Sequence, residues 1–459
     1  MRIASPGTVR RRVCVVLGFV LSCAPLQAAE PAFQLKVVTD RADALYEVGE
    51  TARFVITVTH AGAPVEEGSV SYVVDDLIGP ISVNGNELQG ELPLKGGTAS
   101  VSATADRPGF LRCRASYKTD EKTMQALAGA GFSPLKIEPS LPVPDDFDAF
   151  WTEQKRQLAE LPMEAQRTPV PQADPAVECF DVQIPCTGGA PVSGYLGLPK
   201  DAKAGTLPAI LWVHGAGVRS SSLGNAVKGA EAGMLSMDIN AHGIPNGKPA
   251  KFYQELTAGR LRNYRQAGRE SRDTVYFRGM FLRLARAIDY LASRPEWDGR
   301  ILAVTGHSQG GGQTLVAGGL DERVTIIAAG VPAICDHTGR AAGRISGWPK
   351  LVPQGEDGKP DPVSLQVSRY VDAVNFAARC RADAIMSVGF IDAVCPPSSC
   401  YAAYNQLQGE KRIINEPLMG HAAPAPIQEA FFKFILERVE EQKKGEPYIF
   451  SREVGRIGK

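Results

Sequence analysis

Beyond its first thirty residues the sequence has no apolar run approaching the ~18 residues that cross a bilayer, so no membrane span is expected. It has no excess charge either: 50 Lys and Arg stand against 50 Asp and Glu. No global basic field therefore favours nucleic acid as a partner. There is no Cys-x-x-Cys pair and no histidine cluster among the 6 histidines, which speaks against a zinc site. The first 140 residues contain no tryptophan, and residues 32–140 contain one cysteine, Cys113, so an antibody-type domain is excluded there. No repeat with a period of 20 to 50 residues is present, which removes solenoids and propellers.

What remains is a globular chain of 459 residues, 44% hydrophobic, long enough for two or three domains. Gly and Pro, at 47 and 33, make about 17% of it, above the usual ~12%, which suits a loop-rich enzyme. Residues 1–29 carry Arg2, Arg10, Arg11 and Arg12 but no acid. The short apolar run Val13–Leu21 and the exit Gln27-Ala28-Ala29 follow, which predicts a secretory signal peptide and a secreted or periplasmic protein. Arg10-Arg11 leaves twin-arginine export, and Val20–Cys23 a lipoprotein, as weaker side readings. Export permits disulfides. Seven cysteines lie beyond the signal, so at least one thiol stays free, and a bond between Cys395 and Cys400 would close a short loop.

Residues 30–120 alternate with period two. Ala52, Phe54, Ile56 and Val58 are separated by Arg53, Val55 and Thr57, and Leu111, Cys113, Ala115 and Tyr117 by Arg112, Arg114 and Ser116. Turn signals such as Asn84-Gly85 and Gly96-Gly97 separate these runs, predicting a small all-β, immunoglobulin-like sandwich. Residues 121–145, with Pro134, Pro139, Pro142 and Pro144, read as a linker. From 146 to 445 buried-strand runs (Pro208–Val213, Met234–Ile239, Ile301–Thr305, Val324–Ala329, Ala384–Gly389) alternate with helical stripes. That pattern predicts an α/β domain, a mostly parallel sheet with helices on both faces. Residues 446–459 form a tail. The sandwich carries no nucleophile, base or metal-ligand motif and is expected to be separable from catalysis.

Chemistry concentrates at Gly306-His307-Ser308-Gln309-Gly310. A strand runs into this Gly-x-Ser-x-Gly motif and a small-residue helix leaves it, the context in which a tight turn presents a serine hydroxyl above a sheet. A serine needs a base to become nucleophilic, and here the expected chain order is Ser, acid, His. Only His337 and His421 follow Ser308, and only His421 lies beyond Asp392, which ends the run Val388–Asp392. Ser308, Asp392 and His421 are therefore the catalytic candidates, with His337 and His307 read as structural. The oxyanion donors are expected to be the backbone amides of Gln309 and of Ala216, with Gly217 the alternative to Ala216. Such chemistry requires no cofactor and no metal.

The stretch from Phe147 to about Val439 resembles the acetyl xylan esterase and cephalosporin-C deacetylase family, carbohydrate esterase family seven of the α/β-hydrolases. The resemblance rests on Asp146–Trp151, Tyr276-Phe277-Arg278-Gly279, Gly306–Gly312, Ile391–Ser398 and Tyr401-Ala402-Ala403-Tyr404-Asn405. It implies the same triad, the Ala216 amide as oxyanion donor where the family has tyrosine, and deacetylation of acetylated carbohydrate through an acyl-enzyme. Two signatures depart: the family's Arg-Gly-Gln is replaced by Asn240-Ala241-His242-Gly243, and its His-Glu reads His421-Ala422. Homo-oligomeric assembly and the glycan stay open. The rival readings are a serine peptidase or lactone hydrolase on the same fold, and a surface-binding protein with an inactive hydrolase domain.

Overall fold

The computed structural model describes residues 33–445 except 84 and 188–189. The expected signal peptide and the C-terminal tail lie outside the described residues.

The alternating N-terminal runs form two stacked sheets. One pairs Thr51–His60 with Phe33–Thr39, Ala63–Pro64 and Thr98–Thr104. The other has the order Leu45–Tyr46, Thr123–Phe132, Gly109–Lys118, Ser69–Asp75, Gln89–Pro93. Ala52, Phe54, Ile56 and Val58 are fully buried between them, as period-two patterning requires. The sandwich extends further than expected. The first part of the segment read as a linker is the strand Thr123–Phe132, antiparallel to Gly109–Lys118 along its whole length. Its tail, Ala126-Leu127-Ala128-Gly129-Ala130-Gly131, is too small and glycine-rich to read as a strand by propensity, and pairing with a neighbour overrides that.

The second unit is built on a nine-stranded sheet. Gln166–Val170, Val177–Ile184 and Val192–Pro199 are antiparallel. Then come six parallel strands in the order Leu235–Ile239, Leu207–Val213, Trp297–His307, Ile326–Gly330, Asp383–Gly389, Lys411–Glu416. Both faces are covered, and the alternation shows how. Leu211, Val304, Ile327 and Met386 join one core with the helices Tyr276–Ala292 and Gln309–Leu320. Ile210, Ala303, Ile326 and Ile385 join the other with Ile427, Phe431, Phe434 and Ile435 of the helix Ala425–Lys444. That last helix ends on Gly445 at φ 73, with Lys443 and Lys444 in its final turn where the dipole favours cations.

All seven described cysteines are free thiols, so the structure has no bond between Cys395 and Cys400. Among the described residues no helix is long and apolar enough to cross a membrane.

The two units are not joined by a bare linker. Arg107 donates to the Gly343 carbonyl at 3.0 Å, and Asn405 donates to the Pro134 and Ile137 carbonyls at 3.0 and 2.8 Å. Phe110 leaves the sandwich face and packs with the hydrolase core.

Candidate active site

The strand Trp297–His307 delivers Ser308 to the N-terminus of the helix Gln309–Leu320. Ser308 sits at φ 58, ψ −122, a conformation costing roughly 1–3 kcal/mol for a residue with a side chain. Backbone bonds hold it there: its N–H donates to Gly330 O at 2.9 Å, and its carbonyl accepts from Gly312 and Ala333 at 3.0 and 2.9 Å. The neighbouring glycines are steric necessities. A Cβ on Gly306 or Gly310 would collide with the Val213 carbonyl, and one on Gly311 would lie 2.6 Å from the Gly330 oxygen.

Asp392 lies three residues beyond the end of the strand Asp383–Gly389, in the following turn rather than on the strand as expected. It is fully buried. Its Oδ1 accepts the backbone N–H groups of Val394 and Cys395 at 2.8 and 3.0 Å, which fixes the carboxylate and leaves Oδ2 to face His421 Nδ1 at 2.8 Å. On the other side of the ring, His421 Nε2 stands 2.9 Å from Ser308 Oγ. A carboxylate only accepts, so the Nδ1 position donates and Nε2 is left as the acceptor for the serine proton. The imidazole keeps 28% of its side-chain exposure against none for Asp392, so the relay opens to solvent at the serine end.

The expected oxyanion donors flank this serine. The Gln309 amide begins the helix and has no acceptor within it. Ala216 follows Gly215, on which a Cβ would lie 3.5 Å from Ser308 Cβ, so this loop borders Ser308. Two histidines that the sequence reading did not single out, the half-buried His214 and the buried His242, hold the loop in place. His214 donates from Nδ1 to Gly215 O at 2.6 Å and accepts from the Ala241 amide at Nε2. His242 donates from Nε2 to Gly217 O at 3.1 Å and accepts from the Tyr276 hydroxyl at Nδ1. The segment Asn240–Gly243, where the family signature is replaced, thus braces the loop His214–Gly217. It is itself anchored by Arg283, which donates to Ala241 O at 2.8 and 3.2 Å. Its departure from the signature was legible; the partner of a buried histidine is not.

The remaining candidates lie elsewhere. His307 stacks on Phe431 below the elbow, at 5.2 Å between ring centroids. His337 is completely buried beside Phe277, and neither of its nitrogens has a partner among the described residues. Cys395, Asp392 and His421 bring donor atoms within 4.8 Å of one another, a set of the type that binds transition metals. Asp392 and His421 are already engaged with each other and with Ser308, and burial raises the Cys395 thiol well above its ordinary range.

Burial also governs acid stability. It holds His214 and His337 down at about 3 and His242 and His307 at about 4, and it lifts Asp238 and Asp372 to about 7. Between pH 6.5 and about 4 the unfolded chain binds protons at four histidines that the folded chain refuses. The folded chain keeps protons on two aspartates that the unfolded chain releases. Across these six groups unfolding takes up a net of about two protons between pH 4 and 6.5, so their joint contribution to stability falls as pH falls through that window, by up to roughly 3 kcal/mol per unit. The Tm should drop from pH 6.5 to pH 5 in a calorimetric series; a flat or rising Tm would contradict this balance.

Comparison with known proteins follows the same lines. The acetyl xylan esterase (AXE1) family profile matches residues 135–438, beginning just after the sandwich. The acetyl esterase Axe7A of Xylanibacter ruminicola is 32% identical over 389 residues, 84% of this chain and 86% of its own length. The acetyl xylan esterase structure from Paenibacillus sp. R4 is 28% identical at a TM-score of 0.55, covering 66% of this chain and 97% of its own. Acetyl xylan esterase 1 from Thermoanaerobacterium sp. JW/SL YS485 shares the fold at 24% identity and a TM-score of 0.52, with the same coverage.

Proposed function

Since the chain belongs to the acetyl xylan esterase family, and is therefore a carboxylic-ester hydrolase, we propose that it removes acetyl groups from acetylated xylan or xylo-oligosaccharides through Ser308, His421 and Asp392. The observation that supports this reading is the relay of 2.9 and 2.8 Å from Ser308 Oγ through His421 to the buried Asp392. Ser308 Oγ attacks the acetyl carbonyl as His421 Nε2 takes its proton, and Asp392 holds the ring tautomer and stabilises the imidazolium. The Gln309 and Ala216 amides receive the charge that develops on the carbonyl oxygen. His421 then protonates the departing sugar alkoxide, and a water activated by the same ring releases acetate and restores the serine.

Export is part of the proposal, supported by Arg2, Arg10, Arg11 and Arg12, the apolar run after them and Gln27-Ala28-Ala29. Sequencing of the mature protein should find its first residue near Ala29 or Glu30. An intact Met1, or lipid on Cys23, would contradict this.

The function is tested by acetate release from acetylated xylan, with p-nitrophenyl esters of increasing chain length and peptide anilides alongside. Acetyl should exceed butyryl, and butyryl octanoyl, each methylene that does not fit costing roughly ten-fold or more. A rate that rises with chain length, or preferential cleavage of the anilides, would sink the acetyl esterase reading and favour a lipase-like or peptidase site.

A further inference from the structure

The sandwich strand Thr123–Phe132 uses its two edges differently. One edge pairs with Gly109–Lys118 throughout. On the other edge, the N–H groups of alternate residues point outward. Gly131 donates to Ala44 O and Ser133 to Tyr46 O, both within the sandwich. Gly129 instead donates across the unit boundary, to Pro417 O at 2.9 Å. An open strand edge is thus capped by the loop that carries His421 four residues later.

The same residue also touches the acid's support. A Cβ built on Gly129 would run into Phe390 Cβ and lie 2.8 Å from the Phe390 carbonyl oxygen. Phe390 is fully buried and precedes Asp392 by two residues. Phe110, on the adjacent strand, packs edge-on against the Phe390 ring at 4.9 Å and against Tyr401 at 5.6 Å. Phe390 and Ile391 in turn donate to the carbonyls of Glu416 and Met419, at 3.0 and 3.3 Å. The segments of acid and base are therefore laced to each other and backed by one patch of the sandwich.

We propose that this patch, Gly129 with Phe110, is a positioning element that sets the Asp392 and His421 loops against Ser308, so that the sandwich is part of the catalytic scaffold. The proposal rests on the triad reading above. Neither residue touches substrate. Gly129 permits the approach because no side chain intervenes, and Phe110 fills the remaining gap. Displacing a catalytic loop by about 1 Å costs up to ~100-fold in rate, while substrate contacts need not change.

The test is made in the full chain, on p-nitrophenyl acetate, with Tm and circular dichroism measured for every variant. Gly129→Val should lower kcat about 10- to 100-fold and Phe110→Ala about 10-fold, with KM within about twofold of the parent. Phe110→Leu, which restores apolar bulk, should recover most of the loss. Ile56→Ala provides the control: it opens the sandwich core away from the patch and should lower Tm without lowering kcat. If Gly129→Val does not fold, the two Phe110 variants decide. Folded Gly129→Val and Phe110→Ala with kcat within twofold of the parent would overturn the proposal, as would an equal loss of kcat in Ile56→Ala. Ser308→Ala, run in parallel, keeps the two readings apart. If it is inactive while the patch variants are unimpaired, the positioning role alone fails; if it is active, the triad reading fails and the positioning role with it.

Discussion

Ser308→Ala is expected to lower hydrolysis of p-nitrophenyl acetate by about 10⁴- to 10⁶-fold while leaving the fold intact. The elbow is maintained by backbone bonds from Ser308 to Gly330, Gly312 and Ala333, none of which uses the hydroxyl. Alanine meets the same backbone constraint at φ 58 as serine does, so Tm should change little. What disappears is the atom that carries the acyl group in the proposed mechanism. His421→Ala should be impaired to a similar degree, because it removes the ring nitrogen that stands 2.9 Å from Ser308 Oγ. His337→Ala should lose stability instead, since the ring is fully buried and its removal leaves a cavity. Turnover of folded Ser308→Ala within tenfold of the parent, measured together with labelling by a serine-reactive phosphonate, would disprove the assignment.

Asp392→Asn should cost about 10⁴-fold in kcat with near-normal folding, for a reason specific to how this carboxylate is held. Oδ1 accepts two backbone N–H groups, from Val394 and Cys395. An asparagine must keep its carbonyl oxygen there, which turns its amide nitrogen toward His421 Nδ1. That nitrogen donates, so Nδ1 must accept and the ring proton moves to Nε2. The base then presents a donor to Ser308 and has no lone pair for the serine proton. The variant should bind substrate with little change in KM, because the amide fills the volume of the carboxylate. A folded Asp392→Asn enzyme with more than a tenth of parental kcat would mean that the tautomer of His421 is not what Asp392 controls.

The order of elements and the identity of the chemical groups could be read from the residues themselves. Period-two burial of Ala52, Phe54, Ile56 and Val58 follows from a strand with one covered face. A glycine-flanked serine between a buried strand and a small-residue helix has few geometries available, and the position of Asp392 and His421 after it leaves little choice of partners. These are local properties, written in neighbouring residues. What could not be read depends on contacts between distant segments. Ala126–Gly131 lacks the bulky residues that mark a strand, and only pairing with Gly109–Lys118 makes it one. The sequence also placed Asp392 on its strand, whereas the turn after Gly389 is what aims Oδ1 at two amides. His214 and His242 are two more histidines in loops until folding brings the Ala241 amide and the Gly217 carbonyl to them. Alternation along Gly109–Lys118 tells which of its residues share a face, but not what covers that face. Only the tertiary structure places Gly129 and Phe110 against Phe390, because a close approach of two backbones is set by the shape of both surfaces and leaves no periodic trace in either segment.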